Sequence, residues 1–339
     1  MMLTKRQEQI LKIIVEQYIK TGVPVSSKTI LMTENLNLNC SSATIRNECV
    51  ILEEQELLEK AHSSSGRIPA TKGYRYYVDK LMTQSEETDI LILKQRIDQI
   101  FNNRDLAISE VINQTSTILS EMTKLISIVV GPNLKEDTLK RIELLPLNEE
   151  NILAIIITDN GHVENKIFNI KEISLNDLTL AINIFNKRLV GTKISEMKEK
   201  VSLLQPILAK QIKQAEYVIQ GFINALLNFS KPLSSTHGVQ YMLENPEFND
   251  LKKVKTLVKF IESQSPWSYF DKLNQESVQV KIGEELGKNN KDMAMITTTF
   301  KIHDNDQGQI AVVGPKRLEY EKITEILNWI NDTIKNKFG

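Results

Sequence analysis

The chain has 339 residues, more than one ordinary hydrophobic core accommodates, so its length points to two or three domains. With 41% hydrophobic and 25% charged residues and a formal net charge of −1, it reads as a globular chain, and the balance excludes a surface coated throughout with positive charge. No apolar run nears the ~18 residues of a membrane span, which excludes a membrane partner of that kind.

The two cysteines, Cys40 and Cys49, form neither a disulfide framework nor a metal-ligand spacing, as expected in a reducing compartment. The start, MMLTKRQEQILK, lacks the apolar core of an export signal, so a cytoplasmic location is expected.

Thr4-Lys5-Arg6-Gln7 is a capping box and predicts a helix start. Ile10, Leu11, Ile14, Tyr18 and Ile19 recur at helical spacing, and Gly22 with Pro24 ends the pattern. A second helix is predicted from Ser26 and a third from the pair Ser41 and Ser42, with Ile45, Cys49 and Leu52 on one face. Residues 57–61 then read as a strand, 62–66 as a turn of small residues and 67–69 as a returning strand. Three helices followed by strand, turn and strand is the order of a winged helix-turn-helix, although a generic helical bundle shares its first half.

On the third helix the face opposite the apolar stripe presents Ala43, Arg46 and Asn47, with Ser42 and Thr44 near the N-terminus. A bidentate arginine favours guanine and a bidentate asparagine adenine. Ser41, Ser42 and the helix N-terminus can hold a phosphate, although serine caps serve any helix. Small residues at the turn, among them Ser64, let backbone lie close to a phosphate chain, and Arg67 can reach phosphate or a minor groove. His62, which opens the turn, can also approach phosphate. In the helix that follows, Tyr74, Tyr77, Val78 and Leu81 share an apolar stripe, while Lys72, Arg75 and Tyr76 point away and are candidate backbone contacts. The cations of residues 60–80 (Lys60, Arg67, Lys72, Arg75 and Lys80) face Asp79 alone, which is either a docking face for an anion or a solvated surface.

The runs LTKRQEQILKIIVEQYIKTGVPVSSKTI, SSATIRNE and HSSSGRIPATKGYRYYVD resemble the HrcA family of heat-inducible transcription repressors, and KIGEEL with GQIAVVGPKRLEYEKI extends the resemblance over nearly the full chain. Two positions depart from the family pattern. Glu56 stands where a glycine usually closes the third helix, so that helix is expected to end differently here, and Ala70 stands where serine or threonine is usual. The resemblance implies a homodimer binding double-stranded DNA at an inverted-repeat operator of the CIRCE type, kept active by the chaperonin GroEL and relieved when heat diverts that chaperonin. It also implies a GAF-like second domain interrupted by an inserted dimerisation segment.

Further along, helical patterns occupy 86–103, 105–125, 175–189, 203–228, 250–263 and 319–336. Strands are expected at 126–130, 152–157, 278–282, 293–300 and 310–313, with a hairpin signal at Asn160-Gly161. The fold class is α+β: an N-terminal winged helix-turn-helix followed by a GAF-like domain with an inserted, mainly helical dimerisation segment. The expected limits are 1–82 for the DNA-binding domain, 83–104 for a linker helix, 105–189 and 246–339 for the two parts of the GAF-like domain, and 190–245 for the insertion. Residues 126–130 and 152–157 are uncharged, β-branched and free of proline, a composition that aggregates when exposed and is equally that of buried strands.

Nothing in the pattern supports catalysis or a cofactor. The four histidines are scattered, Gly283 to Lys288 fails as a phosphate loop, and Asp304-Asn305-Asp306 lacks the rest of a calcium loop. The expected function is sequence-specific repression. The alternative is a regulator whose second domain binds a metabolite.

Overall fold

The computed structural model describes residues 3–33, 40–61, 66–82, 88–103, 108–131, 137–159, 161–229, 234–248, 250–262, 277–303 and 306–338. The chain forms two compact units, one of Met1–Val130, Ser234–His303 and Gly308–Gly339, the other of Gly131–Leu233 with Asp304–Gln307. Among the described residues no helix is long and apolar enough to cross a membrane.

The first unit begins with helices α1 (Lys5–Thr21), α2 (Ser27–Leu31) and α3 (Ser42–Glu54), the short strands β1 (Leu58–Lys60) and β2 (Arg67–Pro69), and α4 (Thr71–Tyr76). Local chemistry sets each boundary. The Thr4 hydroxyl accepts from the Gln7 N–H at 3.2 Å, the Gln7 side chain accepts from the Thr4 N–H at 3.0 Å, and Gly22 closes α1 with φ 67°. Ser26 and Ser41 cap α2 and α3 through their hydroxyls alone, which accept from the Thr29 and Thr44 N–H groups. Ile10, Leu11, Ile14, Ile45 and Leu52 are completely buried, each contributing about 1.5–3 kcal/mol of transfer free energy. β1 and β2 pair antiparallel, and Arg67 also exchanges two 2.9 Å backbone hydrogen bonds with Val25, which ties the hairpin to the α1–α2 turn.

α3 does not end differently for want of a glycine. Glu56 adopts the left-handed conformation at φ 60°. Its N–H donates to the Glu53 carbonyl at 2.8 Å, the Leu57 N–H donates to the Leu52 carbonyl at 2.9 Å, and buried Leu57 stands one position on from the turn. These contacts hold the left-handed residue in place despite its side chain. α4 runs on as one wide π turn over Tyr77–Leu81, keeping Tyr74 and Tyr77 buried as the apolar stripe requires.

The rest of this unit is a five-stranded sheet in the order β7-β3-β10-β9-β8, from β3 (Ile126–Val130), β7 (Ser234–His237), β8 (Gln279–Ile282), β9 (Met293–His303) and β10 (Asp306–Pro315). α5 (Thr88–Asn102), α6 (Ile108–Thr123) and α13 (Tyr320–Phe338) pack together on one side. On the other, Met242 of α11 (Val239–Glu244) and Leu257 and Phe260 of α12 (Leu251–Glu262) share a core with Ile126, Ile128, Met293, Met295, Ala311 and Val313.

The second unit is an antiparallel sheet in the order β4-β5-β6, from β4 (Leu139–Pro146), β5 (Asn151–Thr158) and β6 (Val163–Asn169). One face is covered by α7 (Leu175–Leu189), α8 (Ile194–Leu203), α9 (Gln205–Ala209) and α10 (Ala215–Phe229), with Phe185 and Phe222 stacked at 4.7 Å. The region expected as one helix at 203–228 is therefore two helices with a break between. The opposite face is also apolar. β5 alternates buried Ile152, Ala154 and Ile156 with half-buried Leu153, Ile155 and Ile157, and next to these lie Leu145, Val163 and Ile167, each at least half exposed. Buried Asp137 accepts from the Thr158 hydroxyl at 2.8 Å and meets the His162 ring at 2.7 Å, pinning the β5–β6 turn, where Gly161 has φ 82°. Asn160 lies outside the described residues.

Candidate nucleic-acid interface

α3 is held on α1 through its inner face and through Glu48, which accepts from Gln7 Nε2 at 3.0 Å and lies 3.6 Å from Arg6. Its outer face is thereby fixed toward solvent: Ser41, Ala43, Arg46 and Asn47 are exposed, and Ser42 and Thr44 half-buried. The Ser41 hydroxyl accepts from the Thr44 N–H at 3.2 Å and meets the Thr44 hydroxyl at 3.1 Å. Ser27 of α2 joins the site from outside α3. Its hydroxyl lies 2.9 Å from that of Ser42 and accepts from Arg46 Nε at 3.4 Å. Val50, one turn beyond Arg46, is 44% exposed on the same helix.

Three further cations of the module, Arg67, Lys72 and Arg75, are matched by carboxylates. Arg67 pairs with Glu53 of α3, and Lys72 with Glu56. The Lys72 ammonium, first by its hydrogen bond and then by its charge, draws the Glu56 pKa below the ordinary carboxylate value. Arg75 donates from Nε to Glu285 at 2.9 Å and from Nη2 to the Val280 carbonyl at 2.7 Å, and it lies 3.4 Å from Asp79. Burial alone would lower the Arg75 pKa, but the bonds to Glu285 and Asp79 outweigh it and the value is raised. The Tyr76 hydroxyl donates to Glu8 at 2.8 Å, and its pKa is raised by desolvation and by that carboxylate. Cys49 is a buried hydrophobe whose thiol is pushed up to about 11 by burial. His62 and Ser64 lie outside the described residues.

The structure thus brings Ser41, Ser42, Thr44, Arg46 and Asn47 onto one capped helix end, with Arg67 at the neighbouring hairpin, while Lys72, Arg75 and Tyr76 sit on α4 in contacts of their own. Ser27 and Val50 were not singled out from sequence. Val50 had a signal, an apolar residue four positions after Arg46 on an otherwise polar face. Ser27 had none, because its role depends on the packing of α2 beside α3. Among the described residues there is no group of three or more His, Cys, Asp or Glu side chains able to hold a metal.

A small-residue-capped helix offering an arginine and an asparagine beside an arginine-bearing hairpin carries the groups on which DNA recognition by transcription regulators draws. Residues 109–324 match the family described as HrcA protein C terminal domain. The chain is 44% identical to the heat-inducible transcription repressor HrcA of Mycoplasma capricolum over 99% of both chains, 41% identical to that of Mesoplasma florum over 98% of both, and 35% identical to that of Bacillus pumilus over 99% of this chain and 98% of that one. A hypothetical protein known from a crystal structure at 2.2 Å resolution shares the fold, with a TM-score of 0.71 and 24% identity over 99% of both chains. The chain belongs to the HrcA family of heat-inducible transcription repressors, a regulatory and not a catalytic role.

Proposed function

We propose that this repressor binds an inverted-repeat operator of the CIRCE type as a homodimer in the cytoplasm, through a winged helix formed by residues 1–82. α3 enters the major groove, where Arg46 and Asn47 meet base edges, with Ser41, Ser42 and Thr44 at the helix N-terminus close to phosphate. Arg67, with Lys72 and the hairpin turn that carries His62 and Ser64, lies along the adjacent backbone. The observation that carries this reading is the solvent-facing end of α3, where the capping hydroxyls, Arg46 and Asn47 share one exposed surface.

The five-stranded sheet flanked by helices supports a GAF-like second domain; the inserted dimerisation segment, expected at 190–245, is proposed here to begin earlier and to correspond to the second compact unit, Gly131–Leu233, which takes in the β4–β6 sheet. Its exposed aliphatic sheet face is the surface by which two copies would meet, since a patch of that kind rarely stays uncovered. Two copies related by a two-fold axis match the two halves of an inverted repeat. Heat relief through the chaperonin GroEL completes the proposal by family resemblance. A gel-shift titration on an inverted-repeat duplex, with and without chaperonin and before and after heating, tests it. Equal affinity for the repeat and a scrambled duplex would end the DNA reading, and indifference to chaperonin after heating would end the regulatory one.

A further inference from the structure

Two arginines lie where the helix-and-hairpin module meets the five-stranded sheet, both within the first compact unit. Arg75 of α4 spends most of its donors there: Nε on Glu285 at 2.9 Å, Nη2 on the same carboxylate and on the Val280 carbonyl at 2.7 Å, and Nη1 toward Asp79 at 3.4 Å. Glu285 is itself oriented, since its Oε2 accepts from the Ile282 N–H at 2.8 Å. At a second point Arg317, which follows β10, donates from Nη1 to the Ile19 carbonyl at 2.9 Å, in the last turn of α1, and from Nε to Glu247 at 2.7 Å. A carbonyl at a helix end has no partner within its own helix, so a guanidinium there meets both an unused acceptor and the negative end of the helix dipole. Gly22 makes room: a Cβ there would lie 3.3 Å from Arg317 Cζ.

Between these points the Tyr77 hydroxyl donates to Glu321 at 2.9 Å, Lys316 reaches the Thr71 hydroxyl at 3.4 Å, and the rings of Tyr74 and Tyr320 lie 5.9 Å apart. Arg75 grips Glu285 with two nitrogens, which fixes direction as well as distance, and Arg317 adds a second anchor at a separate place through donors to two different acceptors, so the pair leaves a rigid body little rotation.

We propose that Arg75 and Arg317 are positioning residues that set the angle of the winged helix on the sheet, and through it the half-site spacing that the dimer accepts. On this assignment Arg75 does not touch DNA. A phosphate contact would require it to leave Glu285 and orphan the Val280 carbonyl. The inference rests on the inverted-repeat reading above.

The test measures affinity of full-length wild type, Arg75→Gln, Arg75→Lys and Arg317→Gln for inverted-repeat duplexes whose centre is native or lengthened by half a helical turn, roughly 5 base pairs. Wild type should lose affinity by ~100-fold on the lengthened duplex, because half a turn puts the two half-sites on opposite faces of the helix. The three variants should bind the native duplex ~10-fold more weakly, lose less than ~3-fold on lengthening, and keep the wild-type slope of affinity against salt. Arg75→Lys separates the roles. It keeps a charge for phosphate and loses the two-pronged grip, so a loosened spacing preference in this variant supports positioning. A salt slope reduced in Arg75→Gln and restored in Arg75→Lys, with spacing preference intact, would overturn the inference and leave the operator reading standing. A wild type indifferent to the repeat would remove both.

Discussion

Gly73→Ala is the sharpest test of how the winged helix is assembled. Gly73 lies in the first turn of α4 with ordinary helical backbone, so on propensity alone alanine would stabilise the helix by about 1 kcal/mol. A Cβ built on it, however, falls 2.0 Å from the Leu57 carbonyl oxygen and 3.6 Å from Leu11 Cδ1. The obstacle is backbone at the entry to β1, which no side-chain rotation relieves. Reaching ordinary contact distance means moving α4 by more than ~1 Å, and overpacking of that kind costs about 1–3 kcal/mol. The same movement lengthens the 3.1 Å bond from the Ala70 N–H to the Leu57 carbonyl and opens the packing around Tyr74. Losing that bond adds about 1 kcal/mol. The clash therefore wins, and Gly73→Ala should destabilise the first unit by about 1–3 kcal/mol net of the propensity gain. Urea unfolding followed by circular dichroism would read this as a lowered midpoint, accompanied by weaker DNA binding. Gly161→Ala is the control, because a Cβ there meets nothing within 4 Å and only the left-handed backbone is strained. A Gly73→Ala protein as stable as wild type would refute the reasoning.

Glu53→Gln removes a negative charge beside Arg67 on the proposed DNA-facing module, so DNA affinity should rise roughly 3- to 10-fold with a steeper salt dependence; fluorescence anisotropy across a salt series checks this. Arg67→Ala should weaken specific and random DNA alike and flatten the salt slope by about one charge per subunit, and lost discrimination without that change would contradict a phosphate contact. Ile167→Lys places a charge on the exposed sheet face without touching the buried one, so light scattering should find a folded monomer that binds the inverted repeat at least ~10-fold more weakly. The Cys49 thiol has its folded pKa raised to about 11 from 9.0, so its contribution to stability is complete below pH 9.0 and is lost as pH rises toward 11. Wild type should consequently lose stability over that window faster than Cys49→Ala, as thermal melts in alkaline buffers would show.

What could be read from sequence was what short-range chemistry determines. The caps at Thr4, Ser26 and Ser41 depend on atoms within three residues, and the stripe through Ile45, Cys49 and Leu52 on helical period alone. β4 and β7 were not read. β4 carries Lys140, Arg141 and Glu143 and a bulge between Leu139 and Arg141, which breaks the alternation that marks a strand. β7 is Ser-Ser-Thr-His and belongs to the sheet only because β3 offers it a ladder. At the candidate site the face of α3 was legible, since period and caps place Arg46 and Asn47 outward. The partners of the cations were not. Glu285 is 210 residues from Arg75, and only the folded sheet brings them together. The composition shared by 126–130 and 152–157 also concealed a difference: β3 lies inside its sheet with helices on both sides, whereas β5 has one face open.

That open face gives a newly made subunit a problem of company. A lone copy carries an oily plate of Leu145, Leu153, Ile155, Ile157, Val163 and Ile167, the sort of surface that folding helpers hold and that clumps when they are scarce. On the dimeric reading proposed above, shielding by a twin and capture by a helper would compete for the same strip of side chains, and the supply of regulator able to sit on its gene would then follow how busy the cell's folding machinery is.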